Sequence, residues 1–291
     1  MTSARDWWLG ARPRTLPAAV APVLVGTGAA EAGGGAVAGR ALLALGVALA
    51  LQVGVNYAND YSDGVRGTDA GRVGPLRLVA SGAATAQRVR AAALGSFTVA
   101  AVLGLALVVL SAQWWLLAVG AAAIAAAWWY TGGRSPYGYR GLGEVSVFLF
   151  FGLVATVGTT YVQLLAVTGP AVLGGVAVGC LATAILVVNN LRDRPTDAAS
   201  GKRTLAVRLG DRWTRRLFLA LLAGAYAASA AVAVLGYPRA MLAWLSLPWA
   251  VRAAAPVERN ATGAALVPAL ADTARAELVL ALGLAVGLVL G

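Results

Sequence analysis

The sequence contains no histidine, one cysteine (Cys180) and one lysine (Lys202), and only 12% of its residues are charged. Without histidine there is no imidazole to act as acid, base or metal ligand. A lone cysteine excludes an internal disulfide framework and a thiolate metal site. Soluble domains usually carry about 25% charged residues, so the shortage of charge also argues against a water-exposed surface. What is present is 59% hydrophobic residues over a 291-residue chain, with a mean hydropathy of +0.75. A soluble core of that length cannot bury so much apolar surface, and membrane lipid is the expected solvent. Any chemistry must then rest on carboxylates, amides, hydroxyls and guanidiniums. The net charge of +11 invites a nucleic-acid reading, but no basic stripe lies on a polar face, and no nucleic acid is expected as partner.

Apolar runs near 15–32, 41–59, 91–110, 114–131, 145–167, 170–190, 215–236, 239–255 and 276–291 predict an all-α polytopic membrane protein. About nine transmembrane helices would bundle around a central cavity. Pro17 and Pro22 interrupt the first run, which is read as a span and not as a cleaved signal. Trp114 and Trp115 open the fourth run, and Trp128, Trp129 and Tyr130 close it, as interfacial aromatic belts do. With nine crossings, every basic residue except Arg40 and Arg239 falls on the side of the N-terminus. That asymmetry predicts a bacterial inner-membrane protein whose N-terminus and site loops are cytoplasmic.

The acids cluster on the same side. The second run ends in Asn56-Tyr57-Ala58-Asn59-Asp60-Tyr61-Ser62-Asp63, and the sixth in Asn189-Asn190-Leu191-Arg192-Asp193, with Asp197 following. Spacings of i, i+4 and i+7 put Asn56, Asp60 and Asp63 on one helical face. Asn189 and Asp193 repeat the i, i+4 step, and Pro195 is expected to end or kink that helix, leaving Asp197 to the following turn. The two motifs are separated by an even number of crossings, so they share a membrane face. They also occupy matching places in two halves of one domain, about 1–135 and 136–291. Grouped carboxylates at a membrane boundary repel one another and persist where a cation or a pathway needs them. Mg²⁺ takes one or two carboxylates together with substrate phosphate oxygens. Two acidic clusters beside Arg72, Lys202 and Arg203 therefore fit Mg²⁺ bridging a diphosphate. A transporter's ion site is the alternative from another class, and it would place the acids near the bilayer midplane.

At these motifs the chain resembles the UbiA-type intramembrane prenyltransferases, and the resemblance runs over nearly its whole length. The residues carrying it are Ala11-Arg12-Pro13-Arg14-Thr15-Leu16-Pro17, Asn59 to Asp69, Arg72 to Gly82, Tyr137 to Glu144, Asn189 to Asp193, and Gly201 to Leu205. Within the family they are most similar to the branch that prenylates 1,4-dihydroxy-2-naphthoate. There are two departures. Gly67 stands where the family pattern has its last aspartate, with Asp69 two residues on, and Arg134 replaces a lysine in the pattern that begins at Tyr130.

The resemblance implies transfer of a polyprenyl group from polyprenyl diphosphate to 1,4-dihydroxy-2-naphthoate, with loss of CO₂. Other aromatic acceptors, 4-hydroxybenzoate or homogentisate, are the nearest alternative. Asp60, Asp63, Asp193 and Asp197 are expected to be catalytic. With Asn56, Asn59, Asp69 and Asn189 they would form the ligand set for Mg²⁺, as two ions. Arg66, Arg72, Lys202 and Arg203 would meet the diphosphate. Tyr130, Arg134, Tyr139, Arg140 and Glu144 would contact the acceptor or close the site.

Overall fold

The computed structural model describes residues 2–68 and 76–291; Asp69 and Arg72, assigned above to the metal and the diphosphate, lie outside them. Among the described residues all regular structure is helical. Lipid imposes this, because a helix satisfies its backbone polar groups within a single segment. A short helix α1 (Ala4–Gly10) opens on a capping box, in which Ser3 and Asp6 each accept from the other's backbone N–H. It leads through the turn Pro13–Thr15 into α2 (Pro17–Ala32) at an angle of 49°. Then come α3 (Ala38–Arg66), α4 (Ala86–Ser111), α5 (Leu116–Trp129), α6 (Gly143–Leu164), α7 (Gly169–Ala199), α8 (Leu205–Val234), α9 (Pro238–Glu258) and α10 (Gly263–Leu290).

Every predicted apolar run is a helix. Seven helices, α3, α4 and α6 to α10, are long and apolar enough to cross a bilayer, and the bent pair ending in α2 makes up to eight. The 14 residues of α5 are fewer than the about 20 of a typical crossing, so among the described residues seven or eight helices reach that length and about nine is an approximate count. The chain is a multi-pass membrane protein. Trp114, Trp115 and Trp129 face outward as the belt reading expects, whereas Trp128 turns inward and stacks on Tyr61, with ring centroids 6.3 Å apart.

The bundle is built around α7, the most buried span. Small residues let its neighbours approach closely. A Cβ on Gly152 of α6 would lie 2.5 Å from the Gly179 Cα of α7. Gly283 and Gly287 of α10 similarly face the carbonyls of Leu242 and Arg239 in α9. Between Phe148 and Val154, α6 is a π-helix. Residues nine apart lie on opposite faces of an α-helix at 3.6 residues per turn. The wider π turns instead keep Ser146 and Ala155 on the same cavity wall.

Two expectations are corrected. Pro195 does not end its helix: α7 runs on to Ala199, so Asn189, Asp193 and Asp197 form one i, i+4, i+8 stripe. Proline removes a single ladder bond, and around it the Thr196 and Ser200 hydroxyls donate to the Asp193 and Asp197 carbonyls. The last span begins well before residue 276, because Asp272 is paired with Arg275 at 2.8 Å and Arg252 at 3.5 Å, which makes those charges tolerable within the helix. Glu277 therefore sits inside α10, fully buried, and not at a loop edge.

Candidate active site

The first motif occupies the last three turns of α3. Its apolar side is interrupted by Gln52, whose amide donates to Thr15 Oγ1 at 2.8 Å, and by Asn56, whose amide donates to Ala11 O at 2.9 Å and Thr15 Oγ1 at 3.0 Å. These bonds strap the Ala11–Thr15 segment onto α3 and account for its resemblance motif. Arg12 adopts left-handed backbone angles there (φ 54°), and its charge lies within electrostatic reach of Asp60.

Asp60 is fully buried and accepts from two backbone N–H groups, Leu78 to Oδ2 at 2.7 Å and Val79 to Oδ1 at 3.0 Å. It thereby fixes the segment that enters α4 and brings Arg77 to within 3.9 Å of Asp63. Asn59 accepts from the Thr131 hydroxyl at 2.8 Å.

Asp63 joins α3 to the loops that precede α6 and α8. Its Oδ1 accepts from the Tyr139 hydroxyl and from Lys202 Nζ at 3.4 Å. Lys202 also lies 4.6 Å from the Tyr139 ring centroid, and Arg66 is 5.5 Å away, both at cation–π range. The Arg203 N–H donates to Tyr139 O at 2.9 Å, tying the loop before α6 to the loop before α8. Burial first, and then the Asp63 charge, raises the Tyr139 phenol above its ordinary value. Its proton is therefore held at neutral pH, and Tyr139 acts as a donor to Asp63.

On α7, Arg192 grips Asp193 through two bonds of 2.7 Å each and donates to Asn189 Oδ1 at 2.8 Å. Asn190 donates to Glu144 at 2.9 Å, joining α7 to α6. Asp197 is buried and its carbonyl accepts from the Lys202 N–H at 2.9 Å.

A cavity of about 220 Å³ opens beside this cluster, between α2, α3, α5 and α6. Alanines and Leu51, Val55, Phe150 and Phe151 make it apolar, and Gln52, Asn56 and Asn59 form a polar edge. Tyr130 and Tyr137 meet edge to face with centroids 5.5 Å apart. The Tyr137 hydroxyl donates to Ala126 O at 2.8 Å and shares a 2.8 Å bond with Ser146 Oγ, and all three residues line the cavity.

The structure thus places Asp63, Tyr139 and Lys202 in one contact, and brings Asn56, Asn59 and Tyr130 to the cavity wall. Other residues have different surroundings. Arg66 donates to the Thr131 and Gly133 carbonyls, so its fork holds a loop. Arg134, Arg140 and Arg203 are exposed, and Arg140 reaches Ser135 Oγ at 3.3 Å. Glu144 accepts from an amide, that of Asn190. Sequence reasoning left out Arg77, Arg192, Gln52, Tyr137 and Ser146. Gln52, a lone amide in an apolar run, was the one visible signal among them.

The donor set suits a hard cation: carboxylate and amide oxygens, with no sulfur or imidazole. Among the described residues no three acids are grouped closely enough to hold a metal alone. Mg²⁺ does not need three, because it commonly draws its remaining ligands from water and substrate phosphates.

Comparison with known proteins agrees with this architecture. The UbiA prenyltransferase family matches residues 19–265. The 1,4-dihydroxy-2-naphthoate octaprenyltransferase of Mycobacterium tuberculosis is 54% identical over 291 residues, covering 100% of this chain and 99% of that one. Its counterpart in Escherichia coli is 38% identical over 287 residues, covering 96% and 93%. Among solved structures, the apo structure of a UbiA homolog from Aeropyrum pernix superposes with a TM-score of 0.71 at 16% identity, covering 92% of this chain and 97% of that one. A UbiA homolog from Archaeoglobus fulgidus bound to GPP and Mg²⁺ gives a TM-score of 0.62 at 14% identity, covering 79% and 78%. With an apolar cavity beside paired acidic motifs, and relatives matched from end to end, the chain belongs to the UbiA prenyltransferase family and is a prenyltransferase.

Proposed function

We propose that the chain transfers a polyprenyl group from all-trans-polyprenyl diphosphate to 1,4-dihydroxy-2-naphthoate, releasing diphosphate and CO₂ and giving demethylmenaquinol. The observation that carries the reaction type is the Asp63–Lys202 contact, which joins the two acidic motifs beside an apolar cavity. The acceptor is supported by the full-length similarity to naphthoate prenyltransferases.

Asp63, Asp193 and Asp197, with Asn59 and Asn189, would hold Mg²⁺, as two ions, and Asp60 would support that set from behind. Bound Mg²⁺ would neutralise diphosphate charge as the allylic C–O bond breaks. Lys202 and Arg77 add positive charge at the same place, so no nucleophile is required on the protein. Tyr139 keeps its proton and fixes the Asp63 carboxylate. The apolar walls exclude water from the allylic cation, and the faces of Tyr130, Phe150 and Phe151 offer π density to it. Tyr137 and Ser146 hydroxyls and the Gln52 amide are placed to orient the acceptor's hydroxyls. Among the described residues neither Lys nor Arg lines the cavity, so an acceptor carboxylate entering it would lose solvation, which favours its departure as CO₂. The arginine-rich end is read as cytoplasmic, in a bacterial inner membrane. In the two-half reading, residues 1–135 carry the first motif on α3 and residues 136–291 the second on α7.

The purified protein, given Mg²⁺, dihydroxynaphthoate and prenyl diphosphates of increasing length, is expected to form prenylated naphthol with stoichiometric CO₂. Excess chelator should stop the reaction, and fresh Mg²⁺ should restore it. Prenylation of 4-hydroxybenzoate with dihydroxynaphthoate ignored would overturn the acceptor.

A further inference from the structure

A second cavity, of about 310 Å³, lies apart from this site at the arginine-rich end, between the start of α8 and the end of α9. Its walls carry Asp211, Arg212, Arg215 and Arg216 from α8, and Glu258 and Asn260 at and just past the end of α9, over an apolar floor of Leu219 and Val257. Arg215 is buried and fully used. It donates to Asp211 at 2.6 and 3.0 Å and to the Val257 and Ala261 carbonyls at 2.9 Å each, and so builds the groove by clamping α9 to α8. Asp211 is further matched by Arg194 at 3.7 Å. Arg212 and Arg216, one turn apart on α8, are exposed and face the groove.

Two like charges at i, i+4 repel. They also stand just after Gly210, whose angles (φ 74°, ψ 178°) break the helix and restart it, and that new N-terminal end disfavours cations. Arg216 lies 4.8 Å over the ring of Trp213, which is 57% exposed, as expected for a residue at headgroup depth. We propose that this groove binds the phosphate of an anionic phospholipid headgroup. Arg212 and Arg216 would take the phosphate oxygens, the Asn260 amide the glycerol oxygens, and Leu219 and Val257 the start of an acyl chain. Glu258 opposes the anion and tunes its affinity.

The test is native mass spectrometry of the full chain released from phosphatidylcholine bilayers containing phosphatidylglycerol, counting the phosphatidylglycerol retained. Arg212→Gln with Arg216→Gln should lower retention by about tenfold or more. Arg88→Gln with Arg90→Gln removes the same charge from exposed positions on α4 outside this groove, and should leave retention unchanged. Glu258→Gln should raise it, and millimolar inorganic phosphate should not displace the lipid. Equal losses in the two double variants would reduce the effect to general surface charge. Displacement by inorganic phosphate would make this a free-phosphate site. Either outcome overturns the proposal.

Discussion

Asp63→Asn is expected to lower kcat/KM for naphthoate prenylation by about 10³-fold, the upper end of what removing one preorganised charge-stabilising group costs. The substitution keeps the shape of the side chain and removes its charge. Lys202, 6% exposed, loses its anion, and an unpaired buried cation costs about 3 kcal/mol. The variant should therefore melt earlier as well as turn over slowly. Adding Lys202→Gln removes the stranded cation, so stability should return while activity stays low. Recovery of both together would reduce Asp63 to a structural partner of Lys202. Steady-state kinetics and thermal unfolding of the wild type and the two variants in one detergent separate these outcomes.

Asp60→Ala is expected to abolish turnover by a different route. The N–H groups of buried Leu78 and half-buried Val79 would lose their acceptor, at about 1–3 kcal/mol for the buried one. The segment they anchor holds Arg77 near Asp63, so its release should expose Arg77 to trypsin. Faster cleavage after Arg77, together with lost activity, is the predicted pair of results. Lost activity with wild-type cleavage kinetics would return Asp60 to the metal's direct ligands.

The helices were legible because lipid leaves long apolar runs and few alternatives. The i, i+4, i+7 pattern correctly put the Asn56, Asp60 and Asp63 face together. Roles that depend on distant loops were not legible. Arg66 and Tyr139 both sit beside motif residues in sequence or by resemblance, yet their partners (the Thr131 and Gly133 carbonyls, and Asp63) lie far along the chain. Arg192 escaped notice because a cation adjacent to Asp193 reads as loop charge until the buried fork geometry is seen. Pro195 misled in the opposite direction: a rule about helix interiors was applied where hydroxyls flank the gap. The cavity's hydroxyl pair, Tyr137 and Ser146, needed the π segment of α6 to face the same way as Ala155, and no periodicity announces that.

Metal capture by both motifs at once is the measurement nearest to the centre of this account. Mn²⁺, followed by electron paramagnetic resonance on the purified chain with a non-hydrolysable prenyl diphosphonate, reports it directly. Wild type should bind Mn²⁺ only with the diphosphonate present, and Asp63→Asn and Asp193→Asn should each weaken that binding by about tenfold or more. Undiminished binding in either variant would mean that one motif suffices, and that the two motifs do not grip a shared diphosphate.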